Sequence, residues 1–542
     1  MKSYRLILPI LAVALITYFF LNQPQQQNEP VTYDFDLIIA NANLFDGSGN
    51  APVKADIGIK DEMVLAIGDL KQNTGKESIE AEGLSVSPGF IDLHSHADRK
   101  VLEIPQVPNM LQQGITTMLG GNCGGSPSNI GEFLAQADKV KLGPNLAVLI
   151  GHNTVRKEVM GTENRLASED EIAAMEALVG QSMKDGAYGL STGLKYVPGT
   201  YSNTEEVVSL AKISAQHNGI YTSHMREEGL GLLEAVKETI EIGQQAVIPV
   251  HISHHKAVGL PMWGKSKDSI AMIEAARNAG QDVTLDQYPY TASSTSFAII
   301  FPSWSLAGGN DALVERLSDP ETREKIKQAI VHNIKTDRGG GDPARIQVAN
   351  YPPQPEYNGK TFKDILVERG LELTIDNTAE LAIEIQSKGG GQAIYHAMEE
   401  SDVRYIMQYE YTSIATDGAN AQIGKGSPHP RNYGTYPRVL GKYTRDENVL
   451  ELSDAIRKMT SLPAARMGLT NRGLIKQGYY ADLVIFNPAT VIDKATFADP
   501  HQHAVGIEYV IVNGKIAKNP QGLTDIGSGK ALRHQTSEST GE

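Results

Sequence analysis

The sequence predicts an α/β protein: a (β/α)8 TIM-like barrel with a small β-sandwich domain built from both chain ends and an inserted lid segment. Three observations predict it. Eight short apolar runs recur through the middle of the chain, amphipathic helical stretches separate most of them, and short alternating strands with tight turns occur near both ends. Strands that alternate with helices pair in parallel, and eight of them suggest closure into a barrel.

Near the start, apolar residues alternate at Phe35, Leu37 and Ile39, then at Ile57 and Ile59, around the turns Asp46-Gly47 and Gly49-Asn50. Near the end, residues 481–486 and 508–512 repeat the pattern before the turn Asn513-Gly514. Neither stretch alone buries a core, so residues 33–87 and 470–525 are expected to form one domain. The apolar runs are residues 89–93, 116–119, 147–150, 188–190, 219–222, 248–252, 282–285 and 413–415. Helices are expected over 168–185, 204–217, 230–244 and 265–279. Ser168 with Glu171 reads as a capping box, and Thr204 with Glu205 and Glu206 as a helix start. The barrel then comprises residues 88–301 and 404–469. Residues 302–403 interrupt the rhythm, are charged and carry two Gly triplets, and read as an inserted lid or subdomain on the catalytic face.

Of 542 residues, 41% are hydrophobic and 21% charged, an ordinary globular composition. The net charge of -15 argues against nucleic acid or an anionic membrane face as partners. The first residues differ. Lys2 and Arg5 precede an apolar run over 6–21, and a Gln-rich flank follows. This is the layout of a signal peptide or N-terminal membrane anchor over residues 1–28. No Cys follows the run, which excludes a lipoprotein signal. The expectation is an exported, periplasmic protein, soluble or attached to the inner membrane through residues 6–21. A buried N-terminal helix is the blander alternative.

Barrel enzymes carry their chemistry at the C-terminal ends of the strands. His94-Ser95-His96 follows run one, and residues two apart on a strand face the same side. The lone cysteine, Cys123, follows run two between glycines; His224 follows run five, His254-His255-Lys256 run six, and Asp417 run eight. A single His at a strand end is usually structural. Imidazole, thiolate and carboxylate gathered on the one face where they can meet point instead to a metal, and zinc accepts that mixture.

Several stretches resemble the N-acyl-D-amino-acid deacylase (D-aminoacylase) family of the amidohydrolase superfamily. They are residues 88–98 (PGFIDLHSHAD), 121–124 (GNCG), 189–194 (GLSTGL) with Tyr196, 223–226 (SHMR), 252–256 (ISHHK), 288–290 (YPY), and His429-Pro430-Arg431 running on to Pro437-Arg438. The resemblance spans about residues 35–530. It implies that Cys123, His224 and His254 hold a tight zinc. It also implies that His94, His96 and Asp417, sharing Cys123, line a second, weaker position. Asp417 would be the catalytic acid–base, taking a proton from the attacking water and returning one to the leaving amine. Arg431 and Lys256 would bind the α-carboxylate of an N-acyl amino acid, helped by Tyr196 and Tyr288. Lys195 is expected to overshoot the place of a metal-bridging lysine. His255 is the adjacent alternative to His254 as the sixth-strand ligand, with His254 preferred because it fits the Ser-His motif; His152 and His429 are expected to be structural or supporting, and Arg438 structural. The loop 418–427 and the lid vary and are expected to help set the substrate. A dipeptidase for D residues, or another amidohydrolase acting on linear or cyclic amides, is the alternative. A non-catalytic metal-binding barrel would have lost ligands or Asp417, and all are present.

Overall fold

The computed structural model describes residues 34–535. The expected leader, residues 1–28 with the apolar run 6–21, lies outside them. Among the described residues no helix is long and apolar enough to cross a membrane.

Among those residues, eight parallel strands form the barrel: β1 (Phe90–Asp92), β2 (Ile115–Gly120), β3 (Asn145–Val148, continued by Ile150–Gly151), β4 (Gly189–Gly193), β5 (Ile220–His224), β6 (Val250–Ile252), β7 (Val283–Gln287) and β8 (Thr412–Ile414). Each is buried on both faces, which is why it reads as a short continuous apolar run. The ring closes from β8 to β1 through side chains and an edge pair. Thr416 donates to Asp92 Oδ2 at 2.6 Å, Asp417 N donates to His94 O at 2.8 Å, and Gly418 pairs with Ser95. This closure holds His94 and Asp417 side by side at the C-terminal mouth.

Helices fill the connections. Glu169–Lys184 starts at Ser168, whose side chain accepts from Glu171 N in a complete capping box. Thr204–Gln216 is capped by Asn203, not Thr204; the Asn203 side chain accepts from Glu206 N, leaving Thr204 as the first helical residue.

Both chain ends meet in one sheet of nine described strands. Ser85–Pro88 pairs antiparallel with Leu483–Phe486, joining the N-terminal strands to the C-terminal ones. The sheet folds over itself, so that Leu37, Ile39, Ile57 and Val64 share a core with Leu483, Ile485 and Ile511.

The insertion between β7 and β8 has its own antiparallel sheet, Ser293–Ser296, Gln392–Tyr395 and Ile346–Asn350, in that pairing order. Helices Pro320–Asn333 and Ile375–Ser387 pack a separate core around Phe297, Ile330, Val348 and Phe362. Its first strand begins at Ser293, ahead of the expected start at Pro302. That strand is four hydroxyl residues with no apolar signature, and pairing with Gln392–Tyr395 alone makes it a strand. Ser293–Ser296, Arg338 and Asn350 of this unit line the cavity at the barrel mouth.

Candidate metal centre

A cavity of about 630 Å³ opens over the C-terminal ends of the strands. At its floor, Cys123 Sγ lies 3.2 Å from His94 Nε2, 3.4 Å from His254 Nε2 and 3.7 Å from His224 Nδ1. His224 Nδ1 and His254 Nε2 face each other at 2.6 Å. Beside them, Asp417 Oδ1 stands 3.2 Å from His96 Nε2 and 3.6 Å from His94 Nε2. Donor atoms of His94, Cys123 and His254, and of His94, His96 and Asp417, lie within 4.8 Å of one another in each group.

The local backbone is bent to make this possible. Cys123 (φ 54), His254 (φ 36) and Asp417 (φ 48) all adopt left-handed conformations, each costing about 1–3 kcal/mol. Such strain concentrates where a side chain must be aimed. Glycine is required beside Cys123. A Cβ on Gly121 would fall 2.3 Å from Leu149 O, and one on Gly124 2.2 Å from Asn153 Oδ1.

Burial by itself would push the Cys123 thiol up. The charges of His94 and His254 and hydrogen bonds from His224 and His254 overcome it and hold the thiol well below its ordinary value, as thiolate. Asp417 is likewise buried, yet the charges of Arg431 and His254 and the hydrogen bond from His96 keep it well below the usual carboxylate range. One thiolate, several inward-turned imidazole nitrogens and a carboxylate form a donor set that fits zinc on the sulfur side and tolerates a second cation towards Asp417.

Two carboxylates absent from the sequence reading aim the imidazoles. Asp286, on β7, accepts from His254 N at 2.8 Å, with its Oδ2 2.8 Å from His251 Nε2 and 3.5 Å from His94 Nδ1. Glu228 Oε1 lies 3.0 Å from His254 Nδ1, and Glu228 Oε2 3.8 Å from His224 Nε2. His94, His224 and His254 thus each turn one nitrogen towards a carboxylate and the other to the centre, and for His254, at 3.0 Å, the approach is within hydrogen-bond reach, the kind of contact that orients a ligand's ring. Glu228 follows Glu227 in a polar loop, and Asp286 sits near the end of the mixed strand Val283–Gln287; neither carries a sequence signal of its role.

The expected substrate residues line the same cavity. Arg431 Nη1 is 2.8 Å from Asp417 Oδ2, and its guanidinium lies 4.8 Å from the centre of the Tyr288 ring. Lys256 is not a free cation. Its Nζ donates to Glu228 Oε1 at 2.5 Å and sits 2.7 Å from His254 Nδ1. Tyr196 lies over His224, ring centres 4.5 Å apart, and its hydroxyl accepts from Thr295 at 3.1 Å. Arg338, from the lid, was not foreseen. Buried, it stands 3.9 Å from Glu228 Oε2.

Other candidates fall away from the centre. Lys195 pairs with Glu227 at 2.5 Å, and His255 Nε2 faces Ser269 Oγ at 2.8 Å. His152 is 2.8 Å from Glu206, in a buried cluster with Arg156. His429 Nδ1 accepts from Arg431 N at 3.0 Å, which seats the arginine. Arg438 pairs with Asp493 at 3.0 Å.

Comparison with known proteins shows the family. Residues 77–287 and 410–517 match the model of the amidohydrolase family, and the lid lies in the unmatched interval. The chain is 36% identical over 521 residues to a D-aminoacylase of Alcaligenes xylosoxydans xylosoxydans, covering 92% of this chain and 97% of the relative. Among solved structures, a D-aminoacylase superposes with a TM-score of 0.79 at 35% identity, over 92% of this chain and 100% of that one. An N-acyl-D-glutamate deacylase from Bordetella bronchiseptica, complexed with zinc and a phosphonate mimic of the tetrahedral intermediate, gives a TM-score of 0.79 at 31% identity, with the same coverage. The chain belongs to the amidohydrolase family.

Proposed function

We propose that the protein is a zinc-dependent deacylase that hydrolyses the amide bond of N-acyl-D-amino acids to a carboxylic acid and a free D-amino acid. The observation that carries the reading is Asp417, held as an anion between the His94/His96 imidazoles and Arg431, in one cavity with a Cys123 thiolate and inward-turned histidines. The D configuration rests on the similarity to a D-aminoacylase and an N-acyl-D-glutamate deacylase.

Cys123, His224 and His254 would hold one zinc, and His94, His96 and Asp417 would line a second position. Zinc bound there supplies a Lewis acid that polarises the amide carbonyl and brings water towards deprotonation near neutral pH. Asp417 Oδ1 then accepts the proton of the attacking water and later delivers one to the amine nitrogen as the C–N bond breaks. Arg431 and Tyr288 receive the substrate's α-carboxylate. Arg431 suits a carboxylate geometrically, since a guanidinium binds it with two parallel donors. Lys256 adds positive field from its place beside Glu228. Tyr196 and Thr295 border the acyl side. In this reading residues 33–87 with 470–525, 88–301 with 404–469, and 302–403 act as supporting domain, catalytic barrel and lid, and residues 1–28 direct export to the periplasm.

The test is amine release from paired N-acetyl-D- and N-acetyl-L-amino acids by the zinc-loaded protein. Release confined to the D series supports the reading. Release only from D-residue dipeptides or cyclic amides would replace it with the alternative amidohydrolase activity.

A further inference from the structure

Beside the metal cavity lies a second cleft of about 540 Å³, between the segment after β4 and the lid. Its apolar wall is formed by Val197, Ala298, Ile299, Phe301, Pro302 and Leu306. The charged residues that line it are already engaged. Lys195 pairs with Glu227 at 2.5 Å, and Arg226 pairs with Glu238 at 2.8 Å. Uncharged polar side chains, among them Thr200, Asn310 and Gln386, line the rest, so the cleft offers an apolar wall and no unpaired charge, which suits an uncharged occupant with an apolar part. It adjoins the catalytic cavity, because Tyr196 and Ser296 line both spaces.

The two sides of the metal centre differ. Asp417 and Arg431 stand together on one side, 2.8 Å apart, where the leaving nitrogen and the α-carboxylate must go. His224 lies towards the other, with Tyr196 stacked over it. An amide placed with its nitrogen towards Asp417 directs its acyl carbon away from Arg431, towards Tyr196. Tyr196 also lines the second cleft. The amino-acid side chain instead meets a polar wall of Ser293, Ser294, Asn350 and Gln422 in the first cavity.

We propose that the second cleft is the acyl-chain subsite, and that the preferred substrates carry a linear fatty acyl chain of medium length rather than acetyl. This inference rests on the deacylase reading. The segment that leads into the lid, whose Ala298, Ile299, Phe301, Pro302 and Leu306 make most of the apolar wall, would then be the element that selects the acyl group.

The experiment is a chain-length series, acetyl, butyryl, octanoyl and dodecanoyl, on one D-amino acid, with the zinc-loaded protein and the variants Ala298→Trp and Leu306→Trp. For the parent, kcat/KM is expected to rise roughly two- to fourfold per methylene until the cleft is full, the factor that corresponds to burying up to ~0.8 kcal/mol per CH2. The octanoyl-to-acetyl ratio of kcat/KM is expected to fall by about tenfold or more in each variant, since an indole in the cleft displaces several methylenes. Should one variant fail to fold, the other and the parent series carry the test. A flat or falling series in the parent, or ratios unchanged in the variants, overturns the subsite and leaves the deacylase reading standing. Absence of turnover at every chain length overturns both.

Discussion

Arg431 Nη1 lies 2.8 Å from Asp417 Oδ2, with both side chains buried at the barrel mouth. Arg431 Nε is meanwhile left without a hydrogen-bond partner. One guanidinium thus holds the acid–base carboxylate in its charged form, while its Nη2 donates to Ser294 O at 3.2 Å on the lid side of the cavity. Removing it leaves a buried anion uncompensated, a loss of about 3–5 kcal/mol in comparable pairs. Arg431→Ala is expected to lower kcat/KM by about two to three orders of magnitude, with KM raised and kcat reduced. Arg431→Lys is expected to recover little, because an ammonium cannot reproduce the fork. Steady-state kinetics on both variants check this; full recovery in the lysine variant would remove the two-sided role.

Asp417→Asn keeps the shape of the side chain and removes its proton affinity. The expected outcome is a fall in kcat of about two to four orders of magnitude, the usual range for a lost general acid–base, with zinc still held at the cysteine side. Kinetics and elemental metal analysis on the same preparation separate this from simple loss of the ion.

Glu228→Gln tests a residue with no sequence signal. Glu228 faces His254 Nδ1 at 3.0 Å and Lys256 Nζ at 2.5 Å, all buried. Such partners of a ligand typically change metal affinity by about 10–100-fold when lost. Zinc affinity is expected to drop by that factor, and the uncompensated Lys256 charge to destabilise the fold by about 3–5 kcal/mol. Competition with a chromogenic chelator and thermal unfolding report the two effects. Unchanged zinc affinity would reduce Glu228 to a stabilising ion-pair partner.

Metal removal should loosen the fold as well as stop turnover, because three described elements, β2, β5 and β6, would be tied by one ion at Cys123, His224 and His254. Binding at a thousandfold excess over Kd stabilises a native state by about 4 kcal/mol. Chelated protein is therefore expected to melt at lower temperature than the same protein with zinc restored. Equal melting temperatures would mean that no metal is tightly held.

Much of this was legible in the sequence. The eight apolar runs coincide with strands because buried parallel strands are apolar on both faces. The residues placed at their ends, from His94 to Asp417, converge because only one end of a barrel can gather them. The capping box at Ser168 is local chemistry and reads directly. The rest depends on contacts between distant segments. Ser293–Ser296 becomes a strand only by pairing with residues about a hundred positions on, which no local pattern reports. Asp286, Glu228 and Arg338 find partners on distant segments: Asp286 meets His94 and His251, Glu228 meets Lys256 and His254, and Arg338 approaches Glu228. Lys256 read as a substrate clamp from its motif, but Glu228, invisible in that reading, occupies its ammonium.

The central claim is best tested by stripping the purified protein with a chelator, reloading it with zinc, and measuring amine release from N-acyl-D- and N-acyl-L-amino acids in both states, with Cys123→Ala alongside. The account predicts release from the D series alone, lost on stripping, regained with zinc, and not regained in Cys123→Ala. Release that survives stripping, or that Cys123→Ala carries at the parent's rate, would contradict it.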